Sequence, residues 1–368
     1  MTDFIFEDAP VINFHSFMHK ALYHPQFGYY QQRCARQGRH GDYITAPTLS
    51  PLFARCLSHT IAPLVQKYQW PIAEIGPGTG HLATDLLQAL QQKNALPPSY
   101  HLIEPAQHSK KQQLQHIQTN TSPDLAQLCH WSQQLPNSFS GIVIANEILD
   151  AMPVHLLETD DQCDIFSVHV ASENHNPSYH RTAAEIAVLN AFKSRKIPIY
   201  PNYRYEISLA IPEFIAQLGR SIQQGLFLIV DYGYPRKALY HPQRTNGTLC
   251  SFKRQTSTND VLKDPGCQDI SCHVDFTLVA ESAVQNSFTV DGYTTQERFL
   301  IANEIQNELL DSQYQLTLLD YQQYKKTAHI LTHPYEMGET MKVMSLSKGL
   351  DDPANIYGFR MGCHTHQL

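Results

Sequence analysis

Short apolar runs alternate with stretches of helical spacing in the middle of the chain. Residues 72–75, 100–103, 141–145 and 226–230 are such runs. Between the first two, apolar side chains recur three and four residues apart, at Leu82, Ala83, Leu86, Leu87 and Leu90. A continuous apolar run suits a strand that is covered on both faces, and the recurring spacing suits an amphipathic helix. The alternation predicts an α/β fold with a mostly parallel sheet.

Three other regions interrupt this rhythm. Residues 1–60 are rich in turns and aromatic side chains, and we predict that they form a helical N-terminal cap. Residues 155–225 contain strand-like stretches on both sides of a polar link at about 172–178, which predicts an inserted substrate-recognition module over the carboxyl edge of the sheet. Residues 226–368 return to the sheet and carry C-terminal additions, among them a helix from about 295 to 310.

The charge and hydropathy of the chain argue against two classes of partner. Lysine and arginine number 27 against 34 acidic residues, and no basic block is present, which argues against binding of a nucleic-acid backbone. The longest purely aliphatic or aromatic run, 226–230, is far shorter than the roughly 20 residues of a membrane helix. Residues 1–4 show neither a signal-peptide nor a transit-peptide pattern. We therefore expect a soluble cytoplasmic protein.

The cysteines do not indicate a disulfide framework or a metal centre. The eight cysteines include no Cys-x-x-Cys pair, and the chain shows no signal peptide. The tightest group is Cys267, Cys272 and His273. Its Cys-x4-Cys spacing is wider than that of most structural zinc sites, which leaves zinc as the minor alternative. We expect reduced thiols and no bound metal.

A glycine-rich turn follows the first apolar run. Gly76, Gly78 and Gly80 lie directly after this run and before the stretch of helical spacing. Glycines let the backbone approach a ligand closely, and the start of the next helix offers free N–H groups to an anion. Glu104 ends the second run, where an acid can accept hydrogen bonds from ribose hydroxyls. The pattern predicts a site for a nucleotide-type cofactor.

Two classes of cofactor can use such a turn. A dinucleotide fingerprint needs its third glycine at the position of His81, one residue after Gly80. S-adenosyl-L-methionine fits better, because its amino-acid carboxylate would meet the turn and Glu74 would face its ammonium group. The remaining interpretation is that the turn only closes a structural βα unit. We predict S-adenosyl-L-methionine as the cofactor, with residues 61–154 as the first part of a Rossmann-like domain that binds it.

Several blocks of the sequence resemble one known family. Residues 74–80 (EIGPGTG) are similar to motif I of class I methyltransferases. Residues 146–155 (NEILDAMPVH) resemble the signature of the MidA-like family, the group that includes the mitochondrial complex I assembly arginine methyltransferase. Further blocks match this family in its own order: 27–30 (FGYY), 41–47 (GDYITAP), 230–233 (VDYG), 247–249 (GTL), 269–276 (DISCHVDF), 337–339 (MGE) and 342–343 (KV). The likeness extends over most of the chain.

The resemblance implies a function and leaves two alternatives. It implies methyl transfer to an arginine side chain of a protein acceptor, with a respiratory NADH dehydrogenase subunit as a candidate acceptor. The missing transit peptide favours a bacterial member. This chain has Thr48 where the family usually has glutamate, and Ser271-Cys272 where it usually has Thr-Ala. These departures bear on which acceptor the protein would choose and not on cofactor binding. The alternatives are a small-molecule methyltransferase and a non-catalytic assembly factor that binds the cofactor.

The chemistry of a guanidinium indicates which acids to examine. A guanidinium is always charged and carries five donors, so carboxylates must align it and take up its proton. Glu147 and Asp150 follow the run 141–145, and one helical turn would bring them to the same side. We predict that they are catalytic and hold the guanidinium. The alternative is that Asp150 caps a turn, with Glu147 in solvent or near the cofactor. Asp231 could belong either to the site or to a turn.

Five other residues are weaker candidates. Asn146 starts the signature block and is expected at the cofactor, together with Gly41 and Thr45 from the block 41–47. His273 and Asp275 could form a second polar pair facing the acceptor, with His273 in a catalytic role. A structural role is the alternative for the last four of these residues.

Overall fold

A computed structural model describes residues 3–31, 41–42, 44–173, 176–350 and 356–368 of the chain. Its strands are β1 (Val11–Asn13), β2 (Ile72–Ile75), β3 (Tyr100–Ile103), β4 (Cys129–Ser132), β5 (Phe139–Asn146), β6 (His155–Thr159), β7 (Ile165–Glu173), β8 (Asn176–Ala183), β9 (Arg204–Ile207), β10 (Ile222–Tyr234), β11 (Cys250–Lys253), β12 (Thr256–Thr258), β13 (Asp269–Ser271), β14 (Val274–Asp275), β15 (Thr289–Thr295) and β16 (Met341–Lys348). Its α-helices are α1 (Phe14–Tyr23), α2 (Ala46–Leu49), α3 (Leu52–Tyr68), α4 (His81–Gln92), α5 (Gln107–Asn120), α6 (Pro123–Gln127), α7 (Ile186–Ser194), α8 (Ala210–Ser221), α9 (Arg236–Leu239), α10 (Phe276–Gln285), α11 (Gln296–Ala302), α12 (Ile305–Gln313), α13 (Leu318–Thr332) and α14 (Met337–Thr340).

The central sheet is mostly parallel, as the apolar runs predict. Its strand order is β15-β16-β10-β5-β2-β3-β4, and the short β14 pairs with β10 beside this path. From β10 through β5, β2 and β3 to β4, each strand is parallel to the next. Only β16 is antiparallel to both of its neighbours. The runs 141–145 and 226–230 lie in β5 and β10, in the middle of the sheet.

Helices cover both faces of this sheet and bury its continuous apolar runs. Along β10, Leu226 and Leu228 pack into the core under α3 and α4, whereas Phe227 and Ile229 pack into the core under α8 and α10. Successive side chains of a strand point to opposite faces, so a strand between two helical layers needs apolar residues at every position. This explains why β10 shows no alternation of polar and apolar residues.

The order of the strands leaves a crevice at the carboxyl edge of the sheet. From β2 the chain continues through α4 to β3 and β4 on one side, and then crosses to β5 on the other side of β2. The loops after β2 and β5 therefore diverge. Open α/β sheets bind their ligands at such a switch point. The glycine turn follows β2, and the block that begins at Asn146 follows β5.

Residues 155–207 and the first strand of the chain form a second sheet, which is antiparallel. Its path is β1-β7-β6-β9, and β8 pairs with β7. The prediction of a polar link between strands at 172–178 is wrong. Residues 171–173 belong to β7 and pair with residues 176–178 of β8. The described polar residues there belong to two paired antiparallel strands. The division of the chain into cap, module and additions stays a prediction.

The helix predicted for residues 295–310 is two helices. α11 ends at Ala302, and α12 begins at Ile305. Between them, the side chain of Asn303 accepts a hydrogen bond from Thr60 at 2.7 Å and donates one to the Phe299 carbonyl oxygen at 2.8 Å. Glu304 then adopts a left-handed conformation with φ of 64°. An asparagine side chain that bonds to the backbone competes with helix hydrogen bonds, and here it ends the first helix.

The part of the chain that the structure describes shows neither a membrane-spanning helix nor a metal cluster. None of its helices is both long enough and apolar enough to cross a bilayer. No three histidine, cysteine, aspartate or glutamate side chains in this part come together as a metal site would need. The cysteines within it are unpaired thiols, and Cys267 is exposed whereas Cys272 is buried.

We expect Leu228→Ala to lower the free energy of unfolding by about 2–5 kcal/mol, because the side chain is fully buried in the central strand β10. Urea denaturation would measure this change. Leu319→Ala is the matched control, since that leucine is 82% exposed and its removal should change the free energy by less than about 0.5 kcal/mol. Equal effects in the two variants would contradict the assignment of the core.

Candidate active site

A cavity of about 1510 Å³ opens at the switch point of the central sheet. Its lining comes from the loops after β2, β3, β4 and β5, from the end of α1, and from the small sheet β12-β11-β13. Among the residues predicted for the site, the cavity is lined by Gly76, Gly78, Glu104, Asn146, Glu147 and Asp150. The two separate loops predicted for cofactor and acceptor therefore meet in one space.

The glycine turn takes a backbone path that only glycine adopts readily. Gly76, Gly78 and Gly80 have φ values of 62°, 52° and 86°, in the left-handed region. A Cβ atom on Gly76 would lie 2.3 Å from Cδ1 of Ile148, so the turn packs directly against the loop after β5. Gly76 and Gly78 line the cavity, and Gly80 precedes α4 outside the lining.

Glu104 lies at the end of β3 and is held by two donors. The backbone N–H of Ala106 donates to Oε1 at 2.8 Å, and Nε2 of Gln113 donates to Oε2 at 2.9 Å. The same Gln113 amide donates to the Gly78 carbonyl oxygen at 2.8 Å and accepts from Trp131 Nε1 at 2.9 Å. Gln113 thus connects the acid to the glycine turn, although no sequence pattern pointed to it. Burial raises the pKa of Glu104.

Glu74 does not line the cavity, which differs from the prediction that it faces the cofactor. Its carboxylate is 3% exposed and accepts a hydrogen bond of 2.7 Å from the hydroxyl of Tyr100. Tyr100 lies opposite Ile72 in the pairing of β2 with β3, so its side chain shares a sheet face with Glu74. Burial raises the pKa of Glu74 to about 7. The acid supports the turn from inside the sheet.

The carboxylate of Asp231 holds the loop after β5 in place. Its Oδ2 atom accepts hydrogen bonds from the backbone N–H groups of Ile148 at 3.1 Å, Leu149 at 2.8 Å and Asp150 at 3.4 Å. Its Oδ1 atom accepts one from the Tyr232 N–H at 2.8 Å. The acid that caps this turn is therefore Asp231. The sequence had offered Asp150 as an alternative for this role.

Three acids come together where this loop enters the cavity. Glu147 and Asp150 line the cavity, and Asp231 is fully buried beside them. Among the described residues, no lysine or arginine nitrogen lies within 4 Å of these carboxylates. Burial and the charge of Asp231 raise the pKa of Glu147 to about 8 and that of Asp150 well above its usual value. Such a group favours a positively charged ligand, because a cation would stabilise the ionised acids.

The block 41–47 reaches the cavity through two residues that were not predicted, Asp42 and Ile44. Gly41 and Thr45 do not line the cavity, and Tyr43 lies outside the described residues. The hydroxyl of Thr48 donates to the Thr45 carbonyl oxygen at 2.9 Å and accepts from its N–H at 3.2 Å. The threonine that departs from the family pattern therefore closes the start of α2 and lies outside the cavity lining.

His273 lies outside the large cavity, and the predicted pair with Asp275 does not face it. The carboxylate of Asp275 caps α10 by accepting from the Leu278 N–H at 3.0 Å, and it pairs with Arg236 at 3.0 Å. Burial lowers the pKa of His273 to about 4, so its ring is neutral at pH 7. The catalytic role predicted for His273 therefore has no support from the geometry of the cavity lining.

Comparison with known proteins identifies the class of this chain. A family model of S-adenosyl-L-methionine-dependent methyltransferases matches residues 52–294. The chain belongs to this family. The match confirms the predicted MidA-like relationship and, with the solved structure described next, S-adenosyl-L-methionine as the cofactor.

Relatives and one solved structure cover nearly the whole chain. The "Protein arginine methyltransferase NDUFAF7 homolog, mitochondrial" of Drosophila melanogaster is 29% identical, over 91% of this chain and 81% of the relative. The "Protein arginine methyltransferase NDUFAF7, mitochondrial" of Danio rerio is 26% identical, over 90% of this chain and 82% of the relative. A Burkholderia thailandensis protein crystallised with S-adenosyl-homocysteine is 30% identical and superposes with a TM-score of 0.90, covering 98% of this chain and 93% of that chain.

The residues at the cavity fit this cofactor. Gly76 and Gly78 leave room for a ligand against their backbone, and the Glu104 carboxylate lies at the end of the neighbouring strand. Nδ2 of Asn146 donates to the Glu147 carboxylate at 3.2 Å, while its buried Oδ1 atom has no partner among the described residues. A buried acceptor without a donor is unfavourable in the empty protein. A donor group of a bound ligand would satisfy it.

We expect Gly78→Val to weaken binding of S-adenosylhomocysteine at least about tenfold, because a β-branched side chain is strained at a φ of 52° and would project at the cavity. Calorimetric titration would measure the affinity. Gly349→Val is the matched control, since Gly349 has a φ of 67° but lies in the turn after β16, outside the lining. NAD should not bind the wild type. Equal affinity of wild type and Gly78→Val would contradict the placement of the cofactor.

We expect Asp231→Asn to loosen the loop after β5, because an amide offers one acceptor atom where the carboxylate uses two. Hydrogen exchange at the amides of residues 148–150 should accelerate at least about tenfold, which corresponds to a loss of about 1.4 kcal/mol. Asp291→Asn is the control, since that acid accepts from Ser347 at 2.8 Å and lies outside the cavity lining. Unchanged protection in Asp231→Asn would show that other contacts hold the loop.

Proposed function

We propose that this protein transfers the methyl group of S-adenosyl-L-methionine to an arginine side chain of a protein acceptor. The main support is that Glu147 and Asp150 line the same cavity as the glycine turn, with no described lysine or arginine nitrogen within 4 Å of their carboxylates. The names of the relatives from Drosophila melanogaster and Danio rerio support an arginine acceptor. A respiratory NADH dehydrogenase subunit, suggested by the family resemblance, is the first acceptor to test.

The charge of the site favours a cation as the acceptor. A neutral or anionic acceptor would leave the buried acids of the loop without compensation, which is unfavourable in a medium of low dielectric. A guanidinium offers a planar fork of donors that matches carboxylates geometrically. Glu147 and Asp150 are three residues apart, on a turn that the Asp231 carboxylate holds. They can therefore receive two edges of one flat cation.

The residues predicted to bind the cofactor fall into two groups, those that line the cavity and those that do not. Gly76 and Gly78 would lie against the amino-acid end of the cofactor, Glu104 would accept from its ribose, and Asn146 would accept through its free Oδ1 atom. The other four predicted residues lie outside the cavity lining: Glu74, Gly80, Gly41 and Thr45. They act on the cofactor only through the backbone that they hold.

The acids would make the acceptor nitrogen reactive. The bound cofactor supplies a methyl group on a positively charged sulfur. A guanidinium nitrogen is a weak nucleophile until one of its protons is drawn away, so a carboxylate must align the group and accept that proton. Glu147 has a raised pKa of about 8, which suits an acid that exchanges a proton near neutral pH. Positioning of nitrogen and methyl supplies most of the remaining rate enhancement.

We expect Glu147→Gln to reduce methyl transfer by about 100-fold or more, because the amide can align the guanidinium only partly and cannot take its proton. Transfer of labelled methyl into proteins of a cell extract would measure this, with S-adenosylhomocysteine affinity staying within a few-fold. In the wild type, kcat/KM should rise with pH up to about 8, because the ionised form of Glu147 is the active one.

Glu336→Gln is the matched control, since that glutamate is exposed and lies outside the cavity lining. Full transfer by Glu147→Gln would contradict the assignment of Glu147. A wild type that binds S-adenosylhomocysteine but methylates no protein in any extract would favour the assembly factor instead.

A further inference from the structure

Asp269 is a further acid at the cavity, and the sequence did not single it out as a site residue. It is the first residue of β13 in the small sheet, it is 6% exposed, and it lines the cavity together with Glu147 and Asp150. Its charge contributes to raising the pKa of both of these acids, so the three carboxylates are close in space. The cavity therefore holds one more acid than the loop after β5 provides.

Among the described residues, hydrogen bonds rather than a neighbouring cation stabilise the charge of Asp269. The hydroxyl of Tyr30 donates to its Oδ1 atom at 2.7 Å, and no lysine or arginine of the described ranges lies within 4 Å. Burial raises the pKa of Asp269 to about 6, and the nearby charge of Asp42 adds to the shift. An ionised acid in these surroundings opposes folding at neutral pH. Its position is easier to explain by a ligand than by stability.

Two tyrosine rings line the cavity near this acid. Tyr23 and Tyr30 both line the cavity, and their ring centroids are 5.4 Å apart with the planes at 32°. The Tyr23 hydroxyl donates to the Ala151 carbonyl oxygen at 3.0 Å, and the Tyr30 hydroxyl donates to Asp269. Both rings are thereby fixed. A flat guanidinium stacks on aromatic faces, in addition to the attraction that any cation has for them.

The number of donors separates two kinds of cation. An ammonium has three donors, which the four oxygens of Glu147 and Asp150 can satisfy alone. A guanidinium has five donors directed outward in one plane, so acceptors on only one side leave some unpaired. A third carboxylate is useful to the guanidinium and superfluous to the ammonium.

We propose that Asp269 binds the acceptor guanidinium together with Glu147 and Asp150, and that Tyr30 is the positioning residue that orients the Asp269 carboxylate. This inference rests on the proposed function and extends it, because it assigns to a named residue the choice of guanidinium over ammonium. The acceptor end of the site is then shared by the loop after β5, the N-terminal region and the small sheet.

The test uses small cations, since it needs no protein acceptor. The wild type, saturated with S-adenosylhomocysteine, is titrated calorimetrically with N-ethylguanidinium and with ethylammonium. We expect Asp269→Asn to weaken binding of N-ethylguanidinium about tenfold, as for a lost charge-assisted hydrogen bond, with ethylammonium changed less than about threefold. Asp264→Asn is the matched control, because Asp264 is half exposed and pairs with Lys253 outside the lining.

Two readouts separate this role from a structural one. The melting temperature of Asp269→Asn should stay equal or rise, because the variant removes an uncompensated buried charge. Tyr30→Phe removes only the hydroxyl that stabilises the charged acid. Binding of N-ethylguanidinium should therefore require a higher pH in that variant than in the wild type, while Asp42, Glu147 and Asp150 still face Asp269. This second variant keeps the test valid if Asp269→Asn does not fold.

The outcomes distinguish the two proposals. If the wild type does not bind S-adenosylhomocysteine, the proposed function fails and this inference fails with it. If it binds S-adenosylhomocysteine but not N-ethylguanidinium, or if Asp269→Asn binds N-ethylguanidinium as the wild type does, only the role of Asp269 is overturned. Equal losses for the two cations in Asp269→Asn would overturn the selectivity.

Discussion

The hydrogen bonds from the loop after β5 to the Asp231 carboxylate are the interaction on which the site depends. They hold residues 148–150 in a tight turn at the edge of the sheet. Glu147, just before them, has a φ of 55°, a left-handed conformation that costs a non-glycine residue of the order of 1 kcal/mol or more. The Asp231 carboxylate offsets this strain with charge-assisted hydrogen bonds. The loop can then direct Glu147 and Asp150 into the cavity.

The site concentrates negative charge at Glu147, Asp150 and Asp269, and no described lysine or arginine nitrogen lies within 4 Å of these carboxylates. Stability alone would select against buried acids without a neighbouring cation, since hydrogen bonds offset the desolvation of each charge only in part. Their pKa values rise, to about 8 for Glu147, about 7 for Asp231 and about 6 for Asp269. Such shifts are typical of functional sites, where the ligand supplies the missing charge. Both the cofactor sulfonium and an arginine side chain are cations.

The two ends of the cavity come from different parts of the chain. The proposed cofactor end lies on the glycine turn and Glu104, at the edge of the central sheet. The proposed acceptor end also includes Tyr30 and Asp269, which line the cavity from the N-terminal region and the small sheet. The matched family region begins at residue 52, so Tyr30 lies before it. In the proposed function, loops at the ends of the strands hold the cofactor, while the N-terminal region and the small sheet complete the pocket for the acceptor.

The sequence by itself determined the sheet, the glycine turn and the acids after β5, because apolar periodicity and glycine spacing are local properties of the chain. Only the tertiary structure decided which acids enter the cavity. Strand pairing places Glu74 beside Tyr100 inside the sheet, and His273 lies outside the cavity lining. Asp269 enters through a sheet whose strands are far apart along the chain from Glu147. Contacts of this kind depend on register and on packing between distant segments, and neither leaves a periodic signal in the sequence.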